Sequence, residues 1–231
     1  MSAAPRQLAL ALEHTESFAR EDFLGGPSNA AALKLIDLWP DWPHRAVMLT
    51  GPEGSGKSHL AAIWAQAAGA RLTAARALEE SMVPGALATG ALVVEDLADG
   101  AFDERALFHL LNLARQDEAF VLLTARGASL RTSIRDLGSR LKALPVVTLA
   151  PPDDTLLRAV LVKLFADRQI AVDESLISYV AMRIERSFAA ARAVVGRVAS
   201  RSDATSMSSL AGRMVAMAAM AAMCGPRRSR G

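Results

Sequence analysis

The feature that most constrains this chain is Gly51-Pro52-Glu53-Gly54-Ser55-Gly56-Lys57-Ser58, a G-x-x-x-x-G-K-S run. Such a run holds phosphate only where a strand enters it and a helix leaves it. Both neighbours are present. Arg45-Ala46-Val47-Met48-Leu49-Thr50 reads as a buried strand, and His59-Leu60-Ala61-Ala62-Ile63-Trp64-Ala65 as a helix. The glycines let the backbone turn its N–H groups inward, toward phosphate oxygens. The N-terminus of the following helix adds unpaired donors and a favourable dipole. In that setting Lys57 reaches the β- and γ-phosphates, and the Ser58 hydroxyl ligates Mg2+.

Downstream the pattern alternates. Arg71–Ala75 reads as a second strand, and Ala77–Met82 as a short helix broken by Pro84-Gly85. Ala91-Leu92-Val93-Val94-Glu95-Asp96 is an apolar strand ending in two acids, with Glu95 38 residues after Lys57. One carboxylate at such a strand end holds Mg2+ and its neighbour orients the attacking water. Glu95 is the candidate for the metal and Asp96 for the water. Phe102–Gln116 carries Leu107, Leu110, Leu111 and Ala114 at helical spacing. His109 and Asn112 on that helix are surface or packing residues. Ala119–Thr124 is a further strand, and the hydroxyl at its end, Thr124, is a candidate to sense a γ-phosphate or hold the lytic water. Ser133–Leu141 reads as a helix, and Val146–Leu149 as the last strand. Strands alternating with helices imply a parallel sheet covered on both faces. Its ligand lies outside the carboxyl ends of the strands. Beyond Ala150-Pro151-Pro152-Asp153-Asp154 the strands stop. Thr155–Arg168, Asp173–Ile184 and Ser187–Ala199 are three helices of a small subdomain.

The ends of the chain say less. Ser17–Leu24 precedes a Gly25–Asn29 turn with a helix N-cap signal, and a helix follows to Leu38. Phe23 and Leu24 are candidate neighbours of a bound base, or ordinary core residues. In Gln7-Leu8-Ala9-Leu10-Ala11-Leu12 an extended chain would place Leu8, Leu10 and Leu12 on one side, as in peptides that dock into an apolar groove. A frayed strand or the start of a helix fits the same spacing. Met214, Met217, Met220 and Met223 recur every third residue before Gly225-Pro226, and read as a marginal apolar helix packed on the helical subdomain.

At 52% hydrophobic the chain can bury a large core. Its single cysteine, Cys224, excludes an internal disulfide and points to a reducing compartment. Leu8–Leu12 is too short for a signal-peptide core. Met214–Cys224 is about half of the ~20 residues a membrane span needs. A cytoplasmic location is expected. The formal charge of +2 is uneven. Nine arginines from residue 181 onward face only Glu185 and Asp203, a net +7, which leaves about −5 for residues 1–180. Such a basic end is a solvated surface or a phosphate-facing one.

Taken in order, Gly51–Ser58, Leu92–Asp96, the strand ending at Thr124 and Asp136-Leu137-Gly138-Ser139-Arg140-Leu141 resemble the AAA+ ATPases, within them the replication-initiator branch. The resemblance covers roughly residues 5–200. It implies a P-loop core of parallel sheet and helices at residues 17–150, a helical lid at 151–200, an extended segment at 1–16 and a tail of uncertain role at 201–231. The Asp136–Leu141 stretch is similar to that branch's arginine-finger box, with Arg140 as the finger. Ile184-Glu185-Arg186-Ser187-Phe188 is similar to its sensor 2 box, where Arg186 would contact phosphates from the lid. The implied nucleotide site for ATP or ADP with Mg2+ comprises Gly51, Pro52, Gly54, Ser55, Gly56, Lys57, Ser58, His59, Arg186, Phe23 and Leu24.

Within the branch the chain is most similar to the Hda family, regulatory inactivators of the initiator DnaA. Gln7–Leu12 is similar to the sliding-clamp-binding peptide of that family, and no helix-turn-helix domain follows the lid. The resemblance implies a nucleotide-bound negative regulator of chromosomal replication initiation. The sliding clamp of DNA polymerase III, loaded on DNA, would recruit it through Gln7, Leu8, Leu10 and Leu12. Arg140 would then enter the nucleotide site of DnaA and promote hydrolysis there. Contact with DNA would be indirect, and a second copy of the chain is a further candidate partner. The Glu95-Asp96 order departs from the broader family, which more often has Asp first, and implies weak ATP turnover by the chain itself. A helicase loader and a stand-alone P-loop ATPase or small-molecule kinase are the competing expectations.

Overall fold

Leu92-Val93-Val94 is apolar at every position, as a strand covered on both faces must be. It forms an inner strand of the sheet. A computed structural model describes residues 19–202. Gln7, Leu8, Leu10 and Leu12, like residues 203–231, lie outside the described residues.

Five strands, β1 (Ala46–Thr50), β2 (Arg71–Ala74), β3 (Ala91–Leu97), β4 (Phe120–Ala125) and β5 (Val146–Thr148), form one sheet in the order β2-β3-β4-β1-β5. Every pairing is parallel. The helices are α1 (Ala30–Asp37), α2 (Lys57–Ala68), α3 (Val83–Ala86), α4 (Glu104–Gln116) and α5 (Arg135–Ala143). After the sheet come α6 (Asp154–Asp167), α7 (Glu174–Arg183) and α8 (Phe188–Ser202).

Side chains alternate along each strand, and this sorts the core into two layers. Met48, Leu92, Val94, Val121 and Leu123 face α4 and α5, meeting Leu107, Leu110, Leu137 and Leu141. Val47, Leu49, Val93 and Leu122 face α1 and α2, meeting Ile36, Leu60, Ile63 and Trp64. A third core, around Leu157, Leu161, Phe165, Val180 and Val195, holds α6–α8 together. Burying each such side chain contributes about 1.5–3 kcal/mol.

Several local expectations shift. The helix expected at Ala77–Met82 is two 3-10 turns, Ala75–Ala77 and Glu80–Met82, and the helix follows at Val83–Ala86. Pro84, read as its breaker, sits in its first turn instead. A first-turn proline loses no hydrogen bond, because that N–H has no partner in the helix. Asn29 stands at the N-cap position of α1 without capping it. Its side chain instead accepts from the Gly26 N–H at 2.8 Å and donates to the Leu24 carbonyl at 3.0 Å, which closes the turn before the helix. The strand bearing the two acids does not end at Asp96 but runs on to Leu97.

Candidate functional site

β1 leads directly into the glycine-rich loop, and α2 leaves it at Lys57. Gly51 adopts φ +148°, and a Cβ there would lie 2.6 Å from the Leu149 carbonyl oxygen. No other residue type fits that approach. Gly54, at φ +72°, is tight for a different reason: a Cβ there would meet Ser187 Cβ at 2.8 Å and Ala189 Cβ at 3.1 Å. The start of α8 therefore rests on the crown of the loop. The Phe188 N–H donates to the Gly54 carbonyl at 2.8 Å.

Lys57 is buried, and its ammonium donates to the carbonyls of Gly51 and Pro52, both at 2.8 Å. Burial pulls its pKa below the ordinary lysine range. Asp96 opposes that pull most strongly, Arg126 adds to it, and Glu53 and Glu95 oppose it. Lys57 thus sits among the charges of three separate segments. Ser55 Oγ is buried without a hydrogen-bond partner, and Ser58 is exposed at the first turn of α2. Pro52 and Glu53 are exposed on the crown.

The two acids divide. Glu95 is half-buried, and its Oε1 has no hydrogen-bond partner. Asp96 is exposed and takes φ +61°, at an irregularity in the β3–β4 register between Val94 and Leu97. Asp is among the few residue types that enter the left-handed region readily. A bulge of this kind re-aims a side chain at a strand end. The Asp96 N–H donates to Thr124 Oγ1 at 3.0 Å, so the candidate at the end of β4 braces the candidate at the end of β3. Thr124 itself is fully buried.

This donor set fits a nucleotide triphosphate with a divalent ion. Glu95 supplies an unsatisfied buried carboxylate oxygen and Ser55 an unsatisfied hydroxyl, while Lys57 holds two loop carbonyls that a phosphate would replace. No group of three or more His, Cys, Asp or Glu side chains among the described residues makes a metal cage.

Phe23 and His59 meet edge to face, with ring centroids 5.1 Å apart. The ring of Phe23 also lies near Gly56, as does that of Phe188: a Cβ on Gly56 would come 3.5 Å and 3.3 Å from them. Phe23 is buried in the α1–α2 core layer, and Leu24 is half-buried and contributes its carbonyl to Asn29. Lys163 of α6 reaches Asp22 at 2.7 Å, tying the helical subdomain to the same segment. Arg186 is exposed and paired with Asp154 at 2.9 Å. The part of its segment that touches the loop is Ser187–Ala189; Ser187 and Phe188 belong to the box expected from the sequence, but the contact was expected of Arg186.

Arg140 lies elsewhere, on the surface of α5. Leu137 and Leu141, four residues apart, turn inward; Ser139 is exposed and Arg140 half-buried. The guanidinium of Arg140 sits over the Phe108 ring at 5.1 Å, and among the described residues no carboxylate pairs with it. The turn before α5 is pinned by Glu104. Its carboxylate accepts from the Ser133 N–H at 2.8 Å, the Ser133 hydroxyl at 2.9 Å and the Ile134 N–H at 2.9 Å. The Ser133 and Ile134 N–H groups hold the Glu104 carboxyl below the ordinary glutamate range. Asp99 accepts from the Arg131 N–H at 2.8 Å in the same loop. Neither acid carries a sequence signal, because each acts on a segment about 30 residues away.

No protein-family model and no curated protein matches the chain. Solved structures do. Domain III of the Thermotoga maritima replication initiation protein DnaA superposes with a TM-score of 0.68 at 18% identity, covering 88% of this chain and 96% of that domain. The replication initiator DnaA bound to AMPPCP and single-stranded DNA matches with a TM-score of 0.64 at 16% identity, covering 78% of this chain. This chain spans 64% of that protein's length. Thermotoga maritima RuvB, the Holliday junction branch migration motor, matches with a TM-score of 0.66 at 18% identity, over 85% of this chain and 69% of RuvB. The class is therefore one of fold: a five-stranded parallel sheet flanked by helices, shared with domain III of DnaA and with RuvB. Among the described residues no helix is long and apolar enough to cross a membrane.

Proposed function

We propose that this chain is a nucleotide-binding AAA+ regulator of the Hda type, which acts on the initiator DnaA. The observation that carries the reading is Arg140. It is a half-buried arginine at the surface of α5 with no carboxylate partner among the described residues, on a helix held in place by Leu137, Leu141 and Glu104. With no acid beside it among the described residues, this guanidinium keeps its N–H fork for an anion brought by a neighbour. The likeness in fold to domain III of the replication initiation protein DnaA supports the reading.

In this reading the Gly51–Ser58 backbone, Lys57 and Ser58 hold the phosphates of ATP or ADP. Glu95 and Ser58 hold Mg2+, which when bound neutralises charge on the β- and γ-phosphates. Phe23, Leu24 and His59 flank the nucleotide. Asp96, braced by Thr124, orients water, and Arg186 exchanges Asp154 for phosphate when the lid closes. The chain's own nucleotide site shapes the surface, and Arg140 acts in the site of DnaA. A guanidinium so placed raises hydrolysis by ~10³–10⁵-fold in well-studied phosphoryl transfer. Gln7, Leu8, Leu10 and Leu12 tether the chain to the sliding clamp.

Hydrolysis of ATP by DnaA, measured with DNA-loaded clamp and this chain, is the test. Wild type should stimulate it. Arg140→Ala should not, and Gln7→Ala with Leu10→Ala should lose both stimulation and retention on immobilised clamp. Stimulation by Arg140→Ala at the wild-type level would reject the mechanism.

A further inference from the structure

The glycine-rich loop carries one side chain that the phosphate cradle does not use, Glu53, and Arg126 pairs with it at 3.1 Å. We propose that Arg126 reads the terminal phosphate of a bound nucleoside triphosphate, and that Glu53 is the counter-ion it leaves to do so. The proposal rests on the reading of Gly51–Ser58 as a nucleotide site.

Position comes first. β4 pairs with β1 in parallel, with Ala125 opposite Thr50. The residue after Ala125 therefore stands beside Gly51, at the carboxyl ends of the strands where ligands of such sheets bind. Arg126 and Glu53 both act on the buried Lys57 ammonium, so all three share one electrostatic neighbourhood. Thr124, two residues earlier, is already engaged with the Asp96 backbone. Arg126 is held by a single exposed carboxylate.

Energetics favour an exchange. The two side chains are 70% and 78% exposed, and a pair so open to water contributes little, so it parts at little cost. A triphosphate brings several negative charges to the same place, against one on Glu53. Guanidinium also matches phosphate with two parallel N–H bonds, a geometry that lysine cannot reproduce. A diphosphate lacks the outer group and would leave Arg126 on Glu53. The pair would then discriminate ATP from ADP within this chain, independently of Arg140, which faces outward on α5.

The experiment is calorimetric titration of the full chain with Mg2+ and either AMPPCP or ADP. Arg126→Ala should weaken AMPPCP about tenfold, equivalent to ~1.4 kcal/mol, and ADP less than about twofold. Arg126→Lys should recover only part of the loss, because it keeps charge without the planar fork. Glu53→Gln should tighten AMPPCP about two- to fivefold by removing the competing anion and leave ADP unchanged. Thermal melts of the variants should match wild type, since both side chains are exposed. Equal weakening of the two nucleotides by Arg126→Ala, or no change in either, overturns the proposal. Failure of the wild-type chain to bind either nucleotide overturns the underlying site as well. Loss of DnaA stimulation with the AMPPCP preference intact would overturn only the regulatory reading.

Discussion

Two cations in this molecule, Lys57 and Arg140, are kept in opposite ways. Lys57 is buried and donates both of its described hydrogen bonds to carbonyls of its own loop. Arg140 lies half-exposed on a helix, resting on the Phe108 ring with no acid beside it among the described residues. The first arrangement keeps a charge inside the chain's own fold, where the proposed nucleotide would enter. The second leaves a charge at the surface, where the proposed partner would meet it. Stability and activity should therefore separate cleanly between the two regions.

The largest effect should come from removing what positions the outward cation. Leu137 is fully buried between α5 and the sheet. Leu137→Ala should cost about 2–5 kcal/mol, read as a lower urea midpoint. A loss near zero would mean that α5 is not anchored as described. Lys57→Ala should leave the fold intact and weaken AMPPCP about 100-fold, or ~2.8 kcal/mol, by calorimetry. If binding persists at the wild-type level, the loop is not a phosphate cradle.

Next comes the contact between the loop and α8. A side chain on Gly54 must take φ +72° and displace Ser187. Gly54→Val should cost roughly 1–3 kcal/mol and lower the melting temperature by a few degrees per kcal/mol. Hydrogen exchange of the Phe188 amide should rise in that variant, because its acceptor is the Gly54 carbonyl.

A smaller effect attaches to pH. The Glu104 carboxyl is held below its ordinary range by the Ser133 and Ile134 N–H groups. A depressed carboxyl stabilises the fold above its unfolded pKa, and that contribution is lost as pH falls through the folded value. The 133–134 turn should therefore stay protected at neutral pH and exchange faster only below the usual glutamate range. Glu104→Gln should show fast exchange there at every pH. Smallest of all should be the effect of Arg140→Ala on this chain alone. Nucleotide affinity should not move, and stability should change by less than ~1 kcal/mol, the scale of an exposed cation–π contact. A large loss of stability would turn Arg140 into a structural residue.

Legibility in the sequence followed the distance over which each feature is encoded. The glycine loop, the strand before it and the helix after it are contiguous, so their residue types alone specify them. Alternating strands and helices announced the parallel sheet, since both faces of Leu92–Val94 had to be apolar. Boundaries were less legible. Pro84 looked like a stop because the start of α3 depends on the two turns packed before it. Asn29 looked like a cap, and whether its side chain turns to α1 or to Gly26 is settled by the chain around it.

What the residues by themselves determined is the chemistry at hand: a glycine-rich loop ending in a lysine between a strand and a helix, two acids after an apolar strand, and an arginine on a helix whose leucines point inward. Only the tertiary structure decided who meets whom. It set Arg126 on Glu53, Thr124 under the Asp96 amide, Ser187 against Gly54 and Glu104 beneath the arginine helix. The physical reason is that these contacts depend on strand register and helix docking. Both arise from packing the whole core, and short stretches of sequence do not encode them.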